Sequence, residues 1–347
     1  MSFYIGADVS SLQAMEDNGA VYYDIDGRKA DALSIMQNHG VNSIRLRIFN
    51  NPTQSFDRGD YCNVDNTLAM AKRAKKKGLS VYLDFHYSDF WADWQKQTIP
   101  DAWKDMSGND IINAVYEYTF DSLIKFKNAD AWPEIVQIGN EIGKGLLWNF
   151  GTLENPKMIS EILNAGIKAV KDASDKSNKA PKIMIHIECG ADKERTEGFF
   201  RELLTNSLED FDYVGLSYYP YWAGPYELFI ENARNVYKTF EKKVIIAETA
   251  FPYTDVSNDG TSNVVTSALT MSSMGLEANV KNQYEVIKKI VSIARVEESI
   301  AGVFYWEPVW YQKEGVGAEK GKGNEWENQA LFDNNGMALT SIGALAI

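Results

Sequence analysis

What most restricts the fold of this chain is an eightfold alternation. Short apolar runs at Phe3–Val9, Asn42–Ile48, Leu79–Phe85, Ile135–Ile138, Lys182–Glu188, Tyr213–Tyr219, Lys243–Glu248 and Ala301–Trp306 read as buried strands. Between them, Lys29–His39, Asp65–Lys77, Gly108–Lys127, Pro156–Ala173, Lys193–Leu204, Tyr226–Phe240 and Glu277–Val296 have helical spacing. Gly40 and Gly78 follow two of these segments as stop signals, and Ser107 precedes another as its expected cap. Residues Thr340–Ile347 are expected to close the last helix. No linker rich in Pro, Ser or charge divides the series. The pattern predicts a single α/β domain, a (β/α)8 TIM barrel with its active site at the C-terminal ends of the strands. An open doubly wound sheet uses the same alternation. It would call for a glycine-rich phosphate loop after the first strand, and the residues after Asp8 do not supply one.

The ends of two strands carry the chemistry. The fourth run emerges as Gly139-Asn140-Glu141 and the seventh as Ala247-Glu248-Thr249. A carboxylate at the mouth of a buried strand is costly to desolvate. One such Glu is as easily a solvated strand end as a functional group. Two in the same setting, above one barrel, make a paired-carboxylate site. At about 5–5.5 Å apart, one can protonate a glycosidic oxygen while the other attacks the anomeric carbon. One must then stay protonated and the other ionised. Arg45, which alternates with Ile44 and Leu46 in the second run, is the cation available to hold one carboxylate ionised. A structural ion pair at the barrel mouth is the other role open to it.

Composition narrows the partners. The formal net charge is −13, and a field of that sign repels phosphate backbones, so nucleic acid is not an expected partner. Nine Trp and eighteen Tyr suit a protein that grips the flat faces of sugar rings, although many aromatics will only fill the core. Cys62 and Cys189 stand far apart with no CxxC, so neither a disulfide framework nor a thiolate metal site is suggested. No apolar run reaches the length of a membrane span. The first residues enter a strand pattern at once, so no signal peptide is expected in this chain. A chain whose leader had been removed would read the same, which leaves a secreted or periplasmic and a cytoplasmic location both open.

Several stretches are specific enough to carry a resemblance. Gly6-Ala-Asp8-Val-Ser, Arg45-Leu-Arg47, Asp84-Phe-His86-Tyr-Ser-Asp-Phe-Trp91-Ala-Asp93, Gln137-Ile-Gly-Asn140-Glu141-Ile, Gly215-Leu-Ser-Tyr218-Tyr-Pro-Tyr-Trp222, Ala247-Glu248-Thr249-Ala and Gly302-Val-Phe-Tyr-Trp306-Glu-Pro308 resemble glycoside hydrolase family 53, the endo-β-1,4-galactanases. The resemblance runs from the first strand to the eighth. It implies retaining, endo-acting cleavage of β-1,4-galactan or type I arabinogalactan. Glu141 is then the acid/base and Glu248 the nucleophile. Asn140 would hold the sugar 2-hydroxyl, Tyr218 would hydrogen-bond the nucleophile, and Trp306 would floor the cleaved sugar's site. Arg45, Asp84 and His86 are expected against the substrate, with His186 open between site and wall. Trp91, Trp94, Trp148 and Trp222 are candidate platforms for further sugars. Trp94 stands where a Pro usually follows Trp-Ala-Asp, and Gly143-Lys144 after the acid/base is also atypical; both bear on the outer subsites.

No cofactor is required by this chemistry. Bacterial members of the family often hold a calcium ion in the loops after strands seven and eight. Here those loops are residues 249–276 and 307–330, where long loops are more often substrate walls than accidents. Asp255, Asn258, Asp259 and Asn263 offer the hard oxygens calcium takes, although acid-rich turns are commonly just solvated. A monomer is expected. Two other functions keep the barrel: the same retaining pair acting on mannan, glucan or xylan, and a carbohydrate-binding barrel without turnover. The presence of both glutamates weighs against the second, and the family-specific stretches against the first.

Overall fold

The computed structural model describes residues 3–52, 60–174, 179–318 and 322–347. Eight strands form the barrel: β1 (Tyr4–Asp8), β2 (Ser43–Ile48), β3 (Ser80–Phe85), β4 (Ile135–Ile138), β5 (Lys182–Ile187), β6 (Tyr213–Ser217), β7 (Lys243–Thr249) and β8 (Ile300–Tyr305). Each pairs in parallel with its sequence neighbours, and β1 closes the ring against β8. The strands are buried along almost their whole length, as a parallel sheet wrapped by helices requires. The expected TIM barrel is the observed fold.

Ten α-helices are described: α1 (Leu12–Asp17), α2 (Ala32–Asn38), α3 (Val64–Lys76), α4 (Gly108–Asn128), α5 (Pro156–Ala173), α6 (Lys193–Thr205), α7 (Pro220–Ala223), α8 (Tyr226–Phe240), α9 (Ser267–Met274) and α10 (Val280–Val296). Ser107 caps α4 in a full capping box with Asp110. Several short elements differ from the sequence expectation, the unforeseen α1 and α7 among them. The stretch 249–276 contains α9, closed by Gly275 in the left-handed region at φ +69°. A small hairpin pairs Gly145–Leu146 with Gly151–Thr152 beside the fourth strand's loop. Thr340–Ala346 forms a 3-10 turn packed on α10 instead of ending an α-helix. Residues 319–321 of the expected loop 307–330 lie outside those described.

The barrel interior is layered. Tyr82, Ile135, Met184, Tyr213, Ile245, Ala247 and Phe304 form an apolar cluster of their own. Gly6 has no side chain because a Cβ there would collide with the Phe304 ring. Two residues further along these inward rows, the side chains turn polar: Tyr82 leads to Asp84, Ile135 to Gln137, and Met184 to His186. A dry plug thus supports a charged layer at the C-terminal mouth.

Candidate active site

The charged layer is built around Arg45. Its Nη1 donates to Asp8 Oδ2 at 3.0 Å and to Glu248 Oε1 at 2.8 Å. Its Nη2 donates to Asn140 Oδ1 at 2.7 Å and lies 2.8 Å from Asp84 Oδ2. Arg47 lies beside it, pairing with Asp8 at 3.0 Å and with Glu307. Both guanidiniums are buried, so the network is stable only because every charge in it has a partner. Asp84 also meets His86 Nε2 at 3.0 Å. Burial opposes its ionisation, yet Arg45 and then His86 hold its carboxyl below the usual range.

Two backbone irregularities bring the glutamates into the barrel mouth. After β4, Gly139 adopts φ +80°, and a Cβ there would meet Ile142 Cγ2 at 2.8 Å, so only glycine fits. Glu141 itself takes φ +48°, a strained conformation held from both sides. Gln97 Nε2 donates to Asn140 O at 2.8 Å, and Ile142 N donates to His186 O at 3.0 Å. On β7 the device is a bulge. Leu216 pairs with Ile246, but the next residue, Ser217, pairs with Glu248, skipping Ala247. The same slip recurs against β8. Strict alternation would turn Glu248 away from Ala247; the extra residue aims both inward.

The result is a close pair. Ligand atoms of Glu141, Glu248 and His186 all lie within 4.8 Å of one another. Burial and then the neighbouring Glu248 push the Glu141 carboxyl well above its ordinary range. Burial raises Glu248 too, but Arg45 pulls against it. Of the two, Glu141 is therefore the carboxyl that holds a proton more readily. The same three groups are the one His/Cys/Asp/Glu cluster among the described residues with metal-ligand spacing. Both His186 nitrogens are engaged, however, with Asn140 Oδ1 and Ser217 Oγ at 2.9 Å each, so His186 has no lone pair to spare.

Above the pair opens a cleft of about 730 Å³. His86, Asn140, Trp91, Trp94, Trp222 and Trp306 line it as the sequence suggests. The Asn140 amide spends one hydrogen on Ala92 O at 2.9 Å and keeps one for a ligand. Trp306 lies 6.3 Å from Trp91 and 4.6 Å from Trp326 between ring centroids, and Arg47 lies 4.5 Å from the Trp91 ring. Trp91 is therefore an inner wall and not an outlying platform. Trp94 and Trp222, 40% and 50% exposed, are the outer ones.

Several expectations are corrected. Tyr218 does not reach Glu248: its hydroxyl donates to Gly224 O at 2.8 Å, and its ring stacks on Phe229 of α8. Tyr219 is the residue that donates to Glu248 Oε2, at 3.1 Å. Counting by two along β6 from Tyr213 through Ser217 reaches Tyr219, so the signal was present. Arg45 and Asp84 do not line the cleft; they stand behind the wall and hold what does. Trp148 does not line it either, since its indole N–H is turned to Lys144 O at 3.1 Å. Trp326 and Trp310, lying in the irregular chain after β8, add to the wall without a motif to announce them.

Among the described residues, Asp255 and Asp259 do not form a ligand cluster with a third acid. Asp255 accepts from Ser267 N at 2.6 Å, and Asp259 from Thr261 N at 2.8 Å and Asn324 N at 2.6 Å. The unmet oxygens of these loops lie elsewhere. Glu327 is 1% exposed; its Oε1 accepts from Asn258 N, while its Oε2 makes no hydrogen bond of good geometry, with the Ser257 hydroxyl beside it. Asn263 Oδ1 and Asn328 Oδ1 are buried and have no hydrogen-bond partner among the described residues as well. Such oxygens have the chemistry of a hard-cation site.

The family model for glycosyl hydrolase family 53 matches residues 4–345. The arabinogalactan endo-β-1,4-galactanase of Cellvibrio japonicus is 34% identical over 95% of this chain and 86% of its own length. That of Aspergillus niger, arabinogalactan endo-β-1,4-galactanase A, is 35% identical over 91% of this chain and 87% of its own. Among solved structures, the catalytic domain of this family from Ignisphaera aggregans superposes with a TM-score of 0.93 at 36% identity, covering 99% of this chain and 95% of its own. Barrel, paired glutamates and sequence agree: the chain belongs to glycosyl hydrolase family 53.

Proposed function

We propose that this chain is a retaining endo-β-1,4-galactanase in which Glu141 is the acid/base and Glu248 the nucleophile. The observation that carries the mechanism is the separation of the pair: ligand atoms within 4.8 Å leave no room for a water between carboxylate and sugar, as inversion would need. The substrate class is supported by the relatives named as galactanases.

In the first step Glu248 attacks the anomeric carbon while Glu141 gives its proton to the departing glycosidic oxygen. Arg45 and Tyr219, both hydrogen-bonded to Glu248, keep it ionised and aimed. The galactosyl–enzyme ester forms and the aglycone leaves with the proton. In the second step Glu141, now a carboxylate, takes a proton from water, whose oxygen displaces Glu248 with overall retention. Trp306 and Trp91 supply an apolar wall, and the Asn140 amide hydrogen is placed for a sugar hydroxyl.

The test is incubation with linear β-1,4-galactan, mannan and soluble cellulose derivatives, sizing the products and following the anomeric proton by NMR. Shortened galactan chains that first appear as the β-anomer support the reading. Activity confined to mannan or cellulose, or an α-anomeric first product, overturns it.

Glu327 and the Asn263 and Asn328 amide oxygens are the groups of these loops that would hold a calcium ion, supported by their unmet buried oxygens. Such an ion would brace the chain after β7 and β8, which includes the cleft residues Val264 and Trp326. The chemistry itself needs only the two carboxyls. The cleft is complete within one chain, and we take the monomer as the working unit.

A further inference from the structure

Behind Glu141 runs a chain of four hydrogen-bonding groups whose donors and acceptors can be assigned from one fixed end. Asn140 Oδ1 faces the Arg45 guanidinium at 2.7 Å and Gln137 Nε2 at 3.1 Å, both of which only donate. Asn140 Nδ2 faces Ala92 O, which only accepts. The amide orientation is therefore settled, and Oδ1 is an acceptor. His186 Nδ1, 2.9 Å from that oxygen, must carry a hydrogen. Burial, and after it Arg45, hold the imidazole neutral, so its Nε2 carries none and must accept. The group it faces is Ser217 Oγ at 2.9 Å. A serine has one hydroxyl hydrogen. With that hydrogen given to His186, Ser217 Oγ is an acceptor towards Glu141 Oε1, 2.6 Å away. Glu141 satisfies it only when protonated.

We propose that His186 and Ser217 are positioning residues which order the hydrogens behind Glu141 and hold it in its acid form until the leaving group takes the proton. After transfer, the Ser217 hydroxyl rotates. Its hydrogen swings from His186 Nε2 to the new Glu141 carboxylate, and His186 gives up a hydrogen bond but gains no proton. When Glu141 takes a proton from the attacking water, the hydroxyl swings back. No net charge moves along the chain. The hydroxyl thus favours protonated Glu141, because its alternative orientation leaves a buried imidazole nitrogen unmet. The charged and titratable groups facing this unit are Arg45 from β2, Asp84 and His86 from β3 and the residue after it, and Glu248 from β7. Glu188 and Asp93 face Glu141 from the loops after β5 and β3. None of them contacts Ser217 Oγ, whose hydrogen-bond partners are His186 and Glu141.

The proposal rests on Glu141 as the acid/base, and the experiment separates the two. A hydroxyl that simply donated to a Glu141 carboxylate would lower its pKa, so deleting it would move the basic limb of kcat/KM to higher pH. In the ordered chain the hydroxyl serves both states of Glu141, so Ser217→Ala deletes a bond from each and should move the limb little. His186→Phe should move the basic limb down by about one pH unit, the worth of one hydrogen bond, because Ser217 is then free to donate to the carboxylate without leaving an imidazole nitrogen unmet. His186→Gln, whose amide has a donor for Asn140 and an acceptor for Ser217, should restore it to near the wild-type position. The Glu141 carboxyl is titrated directly in the same variants by infrared difference spectroscopy, with Glu141→Gln as the subtraction. A directly measured pKa that rises or stays put in His186→Phe overturns the ordered chain. A pKa that falls while the kcat/KM limb stays put upholds the chain and instead overturns Glu141 as the acid/base.

Discussion

The Arg45 guanidinium lies 2.8 Å from Glu248 Oε1, whereas among the described residues no cation pairs with Glu141. That asymmetry favours the ionised form at Glu248 and the protonated form at Glu141, as the proposed roles require. Glu248→Ala should therefore lower turnover by roughly 10⁴-fold or more, because no covalent intermediate can form. Added azide should restore part of the cleavage of an activated aryl galactoside and yield the α-azide. Ordinary turnover by this variant would remove Glu248 as the nucleophile.

Tyr218 and Tyr219 separate cleanly by mutation. Tyr219→Phe removes the donor to Glu248 Oε2 and should cost kcat about 10- to 100-fold, the worth of a hydrogen bond to a charged group. Tyr218→Phe removes only the bond to Gly224 O and should leave kcat within about twofold while lowering stability by about 1 kcal/mol. Steady-state kinetics on galactan and thermal melts of both variants decide the assignment. A larger kcat loss in Tyr218→Phe would reverse it.

Glu141 should be a stability cost at neutral pH. Its folded pKa is raised well above the ordinary value of 4.5, so the folded state binds more protons than the unfolded state once the pH exceeds that value. Stability then falls as pH rises through this window. Glu141→Gln has no such loss. Its melting temperature should match wild type near pH 4 and exceed it by about 2–5 °C at pH 7–8, a gain on the order of 1–2 kcal/mol. Equal melting temperatures at both pH values would mean that Glu141 titrates as an ordinary carboxyl.

The aromatic wall divides into inner and outer parts. Trp306→Ala should lower kcat/KM by about 2–4 kcal/mol, roughly thirty- to nine-hundred-fold, since its face meets the sugar as positive charge develops. Trp222→Ala, half exposed at the rim, should mainly raise KM for long galactan and leave short oligosaccharides within about twofold. Equal effects of the two changes on short and long substrates would place both rings on the same subsite.

Chelation tests the loops after β7 and β8. If Glu327 helps to hold a calcium ion, a chelator should lower the melting temperature and millimolar calcium should restore it by mass action. Glu327→Gln should abolish that response while leaving Glu141 and Glu248 in place. A melting temperature indifferent to chelator, with no metal by elemental analysis, would take the ion out of the account.

The sequence by itself determined the barrel, the strand ends that carry Glu141 and Glu248, and a cation for one of them. Those features are local or periodic: β-branched runs, helix caps such as Ser107, and inward rows counted by two that lead to His186 and Trp306. Only the tertiary structure decided what a period cannot encode. The bulge that skips Ala247 turns Glu248 inward against strict alternation, because strand register is set by both neighbouring strands at once. Tyr219 displaces Tyr218 at Glu248 because α8 takes the Tyr218 ring into its own packing. The order of hydrogens from Asn140 through His186 and Ser217 depends on residues from three strands or strand ends meeting within hydrogen-bond reach. Trp326 reaches the cleft through irregular chain, where no spacing rule constrains a side chain. Local pattern fixes which residues arrive at the mouth of the barrel; contacts between distant strands fix what each of them does there.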